Sequence, residues 1–306
     1  MIDVLVIGSG PAGYTAAIYA ARAGRNVVLL TGTQQGGQLI ITSFIENYPG
    51  FAEPISGPEL MEKMRQQSEK VGVNIVYDFI NSVDFSKRPF KCYGESAIYE
   101  SKTVVIATGA NAKWLGLESE TKYTGRGVSA CATCDGFFFR NKEVAVIGGG
   151  NTAVEEAIYL TNFAHSVTLI HRRNSLRAEQ IMQKRLFANE KIKIVWNTEV
   201  VDILGDDDKV TGLSLRNSQT SEMSEMPIDG VFVAIGHQPA TSMFIGQLAT
   251  DDNGYIIKNA TNSSTSVEGV FVAGDVCNPT YRQAIVSAGQ GCIAGIDADK
   301  FLSINN

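Results

Sequence analysis

Five cysteines in 306 residues are too few and too scattered for a small secreted scaffold stapled by disulfides. Charge of positive sign is also scarce: 26 basic against 32 acidic residues give a net charge of −6, which argues against nucleic acid as a partner. No stretch approaches the roughly 20 consecutive apolar residues that a membrane-spanning helix needs. No basic leader precedes the strand-like sequence that begins at Ile2, so no export signal is expected and the cytoplasm is the expected compartment. There a structural disulfide would be unusual and a catalytic one expected. Low-complexity segments and long linkers are missing too. What remains, at 44% hydrophobic and 19% charged residues, is ordinary for a globular protein, and the length exceeds what one core usually fills, so two domains are expected.

The stretch that organises the rest is Ser129-Ala-Cys131-Ala-Thr-Cys134-Asp135-Gly136. Two cysteines separated by two residues can close a small ring that opens and reforms without the fold coming apart. An aspartate directly after the second cysteine can carry a proton to or from a thiolate, which each half-cycle of dithiol–disulfide exchange requires. A zinc site would need two more ligands, yet Cys92, Cys277 and Cys292 are isolated and no histidine lies within a few residues of Cys131, so no metal is expected. A pair of plain buried thiols is the other reading. Position decides for redox work, because the pair stands just upstream of one nucleotide-binding turn in a chain that opens with another.

The first turn sits in a strand at residues 3–7, then Gly8-Ser9-Gly10-Pro11-Ala12-Gly13, a helix over 14–23 and a strand at 27–30. In this unit Gly8 permits the tight turn, Gly10 lets backbone approach a pyrophosphate, and Gly13 lets helix and strand pack closely. The phosphates sit at the helix N-terminus, where unpaired N–H groups favour negative charge. The second strand should end in an acid for the ribose; Thr31-Gly32 stands there, so that contact must come from elsewhere. Gly36-Gly37-Gln38-Leu39 reads as a backbone-rich loop over a ligand. A helix over 57–71 follows, with Pro58 suited to its start, then antiparallel strands at 74–80 and 90–99, and a strand ending at Ala107-Thr108-Gly109.

The second turn is the strand 144–147 with Gly148-Gly-Gly150-Asn151-Thr152-Ala153, a helix over 152–163 and a strand at 167–170. That strand ends in His171-Arg172-Arg173, with Arg177 four residues on, where an acid would select NAD. A basic cluster suits a 2′-phosphate, so NADPH is expected. Further strands with an acidic turn at 206–208 fill 192–233. A strand with Gly274-Asp275 at its end and a helical run over 282–295 close the chain.

With both glycine turns, the cysteine pair and the Gly274-Asp275 terminus, the sequence resembles the bacterial low-molecular-weight thioredoxin reductase family along essentially its whole length, down to Tyr281-Arg282-Gln283-Ala284. The resemblance implies two Rossmann-like α/β domains: an FAD domain over 1–113 and 244–306, and an NADPH domain carrying the redox pair inserted over 114–243. It implies a homodimer. It places flavin contacts at residues 31–38, at Asn47 and at 275–284, and Thr31 agrees with it. It implies Cys134 nearest the flavin and Asp135 managing protons, and it leaves open which cysteine attacks the partner. The larger glutathione-reductase-like enzymes share the glycine turns but place their redox pair early in the FAD domain.

The expected electron path is therefore NADPH to FAD, to the Cys131–Cys134 disulfide, to the disulfide of thioredoxin. Because pair and NADPH site share a domain, hinges near Lys113 and residues 239–241 are expected to alternate them. Phe137-Phe138-Phe139 follow the pair, and three consecutive rings cannot all enter one core. Phe137 and Phe138 are expected to meet thioredoxin, against the alternative that two fill the core. A ferredoxin reductase would not need the cysteine pair, a small-molecule dithiol oxidase would need a flavin that reacts rapidly with oxygen, and a flavin-binding redox sensor would not need the basic cluster.

Overall fold

A computed structural model describes residues 1–42 and 45–305. The chain forms two compact units, Met1–Asn111 with Gln238–Asn306, and Ala112–His237. The first segment runs β1 (Ile2–Ile7), α1 (Pro11–Arg22), β2 (Val27–Leu30), α2 (Gly57–Lys70), β3 (Asn74–Val76), β4 (Ile80–Asp84), β5 (Phe90–Gly94), β6 (Ile98–Ile106) and β7 (Ala110–Ala112). The second unit contains α3 (Glu118–Tyr123), β8 (Val128–Ser129), α4 (Ala132–Asp135), β9 (Glu143–Ile147), α5 (Asn151–Leu160), β10 (Ser166–Ile170), α6 (Gln180–Phe187), β11 (Ile192–Val195), β12 (Thr198–Gly205), β13 (Val210–Asn217), β14 (Met223–Pro227) and β15 (Gly230–Val233). The chain then returns through β16 (His237–Pro239) to β17 (Val270–Val272) and α7 (Ala284–Ile304).

In the first unit a seven-stranded sheet has the order β3-β2-β1-β6-β5-β4, with β17 also on β6. Strands β2, β1, β6 and β17 pair in parallel. Their apolar runs are buried on both faces, as parallel strands require. Alternation along β1 splits the core: Val4 and Val6 face α1, α2 and α7, whereas Leu5 and Ile7 join Phe85, Phe90 and Phe244 on the other side. Helix α7 lies on α1 through small residues. A Cβ on Gly291 would stand 2.2 Å from the Ala12 carbonyl oxygen, so no larger residue allows that approach.

The second unit holds a parallel five-stranded sheet, β11-β10-β9-β15-β8. Val144 and Val146 of β9 face α5 and α6, while Ala145 and Ile147 face the antiparallel ladder β12-β13-β14. Both sheets are thus of the doubly covered kind that the two glycine turns imply. Among the described residues no helix is long and apolar enough to cross a membrane.

Several expected boundaries shift. Residues 74–76 form a parallel edge strand on β2, not the antiparallel strand expected over 74–80; the antiparallel partner of β5 begins at Ile80. Helix α7 begins at Ala284, because Arg282 takes a left-handed φ of 34° that ends helical geometry there. Helix α5 ends at Leu160. The seams lie at 111/112 and 237/238 rather than at 113/114 and 243/244. Residues 241–244 belong to the first unit by packing: Phe244 is fully buried 6.4 Å from the Phe85 ring, and Thr241 Oγ1 donates to the Gly254 carbonyl at 2.9 Å.

Candidate functional site

The first turn is built by steric necessity. A Cβ on Gly8 would fall 2.2 Å from the Ala107 carbonyl oxygen, and one on Gly13 would fall 1.8 Å from the Gly8 carbonyl oxygen. Turn, helix and β6 therefore interlock only with glycine at both places. Gly10 differs, since nothing lies within 4 Å of its Cβ position, and the same holds at Gly32 and Gly109. Gly10 thus leaves open space at the N-terminus of α1, which Pro11 begins and where Gly10 provides no side-chain cap. An uncapped helix start facing open space is the donor set a diphosphate uses.

Distant segments of the same unit converge on this turn. Gly274 fits tightly over α1, with its Cβ position 2.9 Å from Ala12 Cβ, and its N–H donates to Gln290 Oε1 at 2.8 Å. Asp275 Oδ1 accepts from Ser287 Oγ at 2.9 Å, and burial raises its carboxyl above the usual aspartate range, against the opposing effects of Ser287 and Arg282. Arg282 Nη2 donates to Tyr255 Oη at 3.3 Å, while its buried Nε has no hydrogen-bond partner. A buried guanidinium N–H without a partner is costly unless a ligand oxygen or nitrogen meets it. Asn47 Nδ2 donates to Gln283 Oε1 at 3.4 Å, joining two of the expected flavin-contact segments. These features fit a flavin dinucleotide. Other predicted residues have structural work here: Thr108 Oγ1 donates to the Ala240 carbonyl at 2.7 Å, Gln38 Nε2 to Asn111 Oδ1 at 2.8 Å, and Leu39 packs on the core. Ser287 and Gln290 were not picked out from sequence; the signal was two polar residues three apart in an apolar helix.

In the second unit Gly148 sits with its Cβ position 2.4 Å from the Ala234 carbonyl oxygen and 2.7 Å from Ala153 Cβ, while Gly150 opens on space at the N-terminus of α5, where Asn151 and Thr152 begin the helix. Arg172, Arg173 and Arg177 are all exposed, and among the described residues none is in an ion pair. Their backbones are held: Arg177 N–H donates to the Gly149 carbonyl at 2.7 Å, and the Arg173 carbonyl accepts from Asn197 N–H at 3.2 Å. The Arg172 carbonyl accepts from Ser218 Oγ at 3.3 Å, so three anchored loop positions after β10 present exposed guanidiniums, which suits a dinucleotide with an extra phosphate. His171 is buried beside them. Its ring is buried against Gly149, whose Cβ position lies 2.2 Å from His171 Cε1, and Nε2 meets the Ser175 carbonyl at 3.0 Å. Burial, reinforced by Arg173 and Arg177, holds its pKa below the usual histidine value despite backbone hydrogen bonds.

The cysteine pair is a disulfide, Cys131–Cys134, with Cα atoms 5.3 Å apart across the first turn of α4. Cys131 caps that helix, and both Cys134 N–H and Asp135 N–H donate to its carbonyl, at 3.2 and 3.1 Å. Cys131 N–H donates to Ser129 Oγ at 3.0 Å. The ring is therefore held by backbone that does not depend on the S–S bond. Burial raises the Asp135 carboxyl, with Ser129 opposing, so it keeps a proton to higher pH than a free aspartate. Burial also pushes the Cys92 and Cys277 thiols up to about 12, which leaves them inert as nucleophiles. Among the described residues no cluster of His, Cys, Asp or Glu could hold a metal. Of the three rings that follow, Phe139 is core, edge-on to Phe232 at 5.2 Å, while Phe137 and Phe138 are 49% and 41% exposed.

The family described as pyridine nucleotide-disulphide oxidoreductase matches residues 2–291. The chain is 55% identical over 303 residues to a thioredoxin reductase of Rickettsia conorii, covering 98% of each chain. It is 52% identical over 306 residues to a glucosaminate ammonia-lyase of Pseudomonas fluorescens, covering 98% of this chain and 95% of that one. A solved thioredoxin reductase from Streptococcus pyogenes matches with a TM-score of 0.95 at 44% identity, covering 99% of each.

Proposed function

This chain belongs to the pyridine nucleotide-disulphide oxidoreductases, and within them to the thioredoxin reductases, and we propose that it passes electrons from NADPH through FAD and the Cys131–Cys134 disulfide to the disulfide of thioredoxin. The observation that carries this reading is the disulfide itself, set on a helix start followed by a carboxyl whose pKa burial raises, in the same unit as the second glycine turn. Flavin, when bound, takes a hydride from reduced nicotinamide and hands on an electron pair.

The rest is the work of this chain's residues. Arg172, Arg173 and Arg177 bind and select the 2′-phosphate, and Gly148 and Gly150 admit the diphosphate. Two electrons entering the Cys131–Cys134 bond leave two sulfurs, and Asp135 supplies a proton to one of them. One cysteine sulfur then attacks the partner's disulfide and expels a partner thiolate. The other cysteine attacks the mixed disulfide, re-forms the Cys131–Cys134 bond and releases the second partner thiol. Two electrons end on the partner with two protons: one is supplied by Asp135 and carried on a cysteine thiol to the second partner sulfur, and the expelled partner thiolate takes the other from solvent. An ammonia-lyase would draw on none of this. Anaerobic titration with NADPH, then oxidised thioredoxin, tests the proposal: the yellow colour bleaches and then returns. A protein that stays bleached after thioredoxin is added refutes it.

Asp135→Asn slows the disulfide steps by about a hundredfold or more, the usual scale for a lost general acid, and leaves flavin reduction by NADPH nearly unchanged. In the native protein those steps slow as pH rises through the raised Asp135 pKa, because the proton is then lost; that limb disappears in the variant. Stopped-flow traces in which both phases slow equally would make Asp135 structural.

The exposed pair Phe137 and Phe138, edge-on at 6.3 Å beside the disulfide helix, is the proposed contact for thioredoxin. Aromatic anchors often carry about 2 kcal/mol or more of an interface. Phe138→Ala therefore raises the KM for thioredoxin by about tenfold at an unchanged melting temperature. An unaltered KM in an equally stable variant removes Phe138 from the interface. The proposed homodimer uses α7, which leaves Ile285, Ile293 and Ile296 exposed, as a helix does when a second copy covers it. A single-chain mass in sedimentation excludes that assembly. The free thiols Cys92, Cys277 and Cys292 agree with a reducing cytoplasm, which cell fractionation checks.

A further inference from the structure

Ser9 stands in the first glycine turn, yet its side chain is only 2% exposed and both sides of its hydroxyl are engaged within the protein. Oγ donates to the Thr31 carbonyl at 2.9 Å and accepts from the Gly36 N–H at 3.0 Å. Those partners are the first residue after β2 and the first of two consecutive left-handed glycines, Gly36 at φ 93° and Gly37 at φ 64°. One hydroxyl therefore ties both ends of the loop over 31–36 to the turn that begins α1. A second, weaker tie joins the same parts: Gln35 Nε2 donates to the hydroxyl of fully buried Tyr14 at 3.4 Å. The loop ends close on the turn, with the Gly37 Cβ position 3.5 Å from Gly10 Cα, beside the open face of Gly10.

We propose that the Ser9 hydroxyl is a latch: engaged wholly within the protein, it holds the 31–38 loop closed over the first glycine turn and so sets how fast FAD leaves. This rests on the flavin reading given above. Gly36 and Gly37 let the loop come down onto the turn, but glycines have no side chains to hold it there. Gln38 donates to Asn111 at 2.8 Å and Tyr77 Oη to the Thr33 carbonyl at 3.1 Å, but neither partner belongs to the turn; the Ser9 hydroxyl supplies the short side-chain bonds between loop and turn. Losing it leaves the buried Gly36 N–H without its partner, so the closed loop is disfavoured relative to the open one.

The test compares wild type with Ser9→Ala, both loaded with FAD. Release is followed by the rise in flavin fluorescence on dilution into an excess of a protein that captures free flavin. Amide exchange at Gly36 and the melting temperature of the flavin-free protein are measured alongside. The expected result is FAD release about tenfold faster or more, the effect of one buried hydrogen bond, with faster exchange at Gly36 and a melting temperature within a few degrees. Unchanged release overturns the proposal, whatever Gly36 does. Faster release with Gly36 exchange unchanged also overturns it, since Ser9 would then act on flavin itself. Faster exchange throughout α1 with a large fall in melting temperature overturns it in favour of a structural role. If wild type takes up no FAD, the flavin reading fails, and that result is separate from any difference between the two proteins.

Discussion

Cys131→Ser or Cys134→Ser abolishes thioredoxin reduction, while NADPH still bleaches the flavin at nearly the wild-type rate. The two halves of this result follow from where the pair sits. Both sulfurs are needed, one to attack and one to resolve, so a single serine leaves either no nucleophile or a mixed disulfide with no exit. Neither sulfur is needed for hydride to reach the flavin. The variants remain folded because the bond closes a ring of only three residues' separation. In the chain-entropy account, so short a loop stabilises by about 2 kcal/mol, and the Cys131 carbonyl keeps both amide bonds that start α4. Melting temperature is the control. A Cys134→Ser protein that turned over thioredoxin near the wild-type rate would end the dithiol mechanism.

The second large effect is on nucleotide choice. Replacing Arg172 and Arg173 together with alanine raises the KM for NADPH by about tenfold to a hundredfold and leaves NADH nearly untouched. A charge-assisted hydrogen bond contributes about 1.5–3 kcal/mol, and exposure and salt cut that at this surface. The fold does not suffer, because neither guanidinium is in an ion pair among the described residues; what holds the loop is backbone, through the Arg173 and Arg177 main-chain bonds. The KM ratio of the two nucleotides, measured at low and at moderate salt, reads the effect. A ratio unchanged in the double variant takes the two arginines out of the nucleotide site.

By itself the sequence determined the parallel sheets, the two glycine turns, the redox pair and the basic cluster. Each is a local pattern: apolar runs buried on both faces, glycine where a Cβ would strike a carbonyl, two cysteines within one helical turn. Boundaries followed less well, since residues 74–80 read as one strand although their pairing is set by β2, a neighbour distant in sequence. Tertiary structure alone decided which side chains of a motif are buried and bonded within the protein. Ser9 and His171 lie within motifs that read as nucleotide-binding, yet both side chains are buried, one bonding Thr31 and Gly36, the other lying under Gly149. Tertiary structure also split the three phenylalanines, sending Phe139 to Phe232 and leaving two outside. It raised the pKa of Asp135 by burial, because a carboxyl's pKa depends on what surrounds it and no sequence pattern states that. Motifs record backbone requirements, which are local; burial and partners depend on residues hundreds of positions away, as when Asn47 meets Gln283.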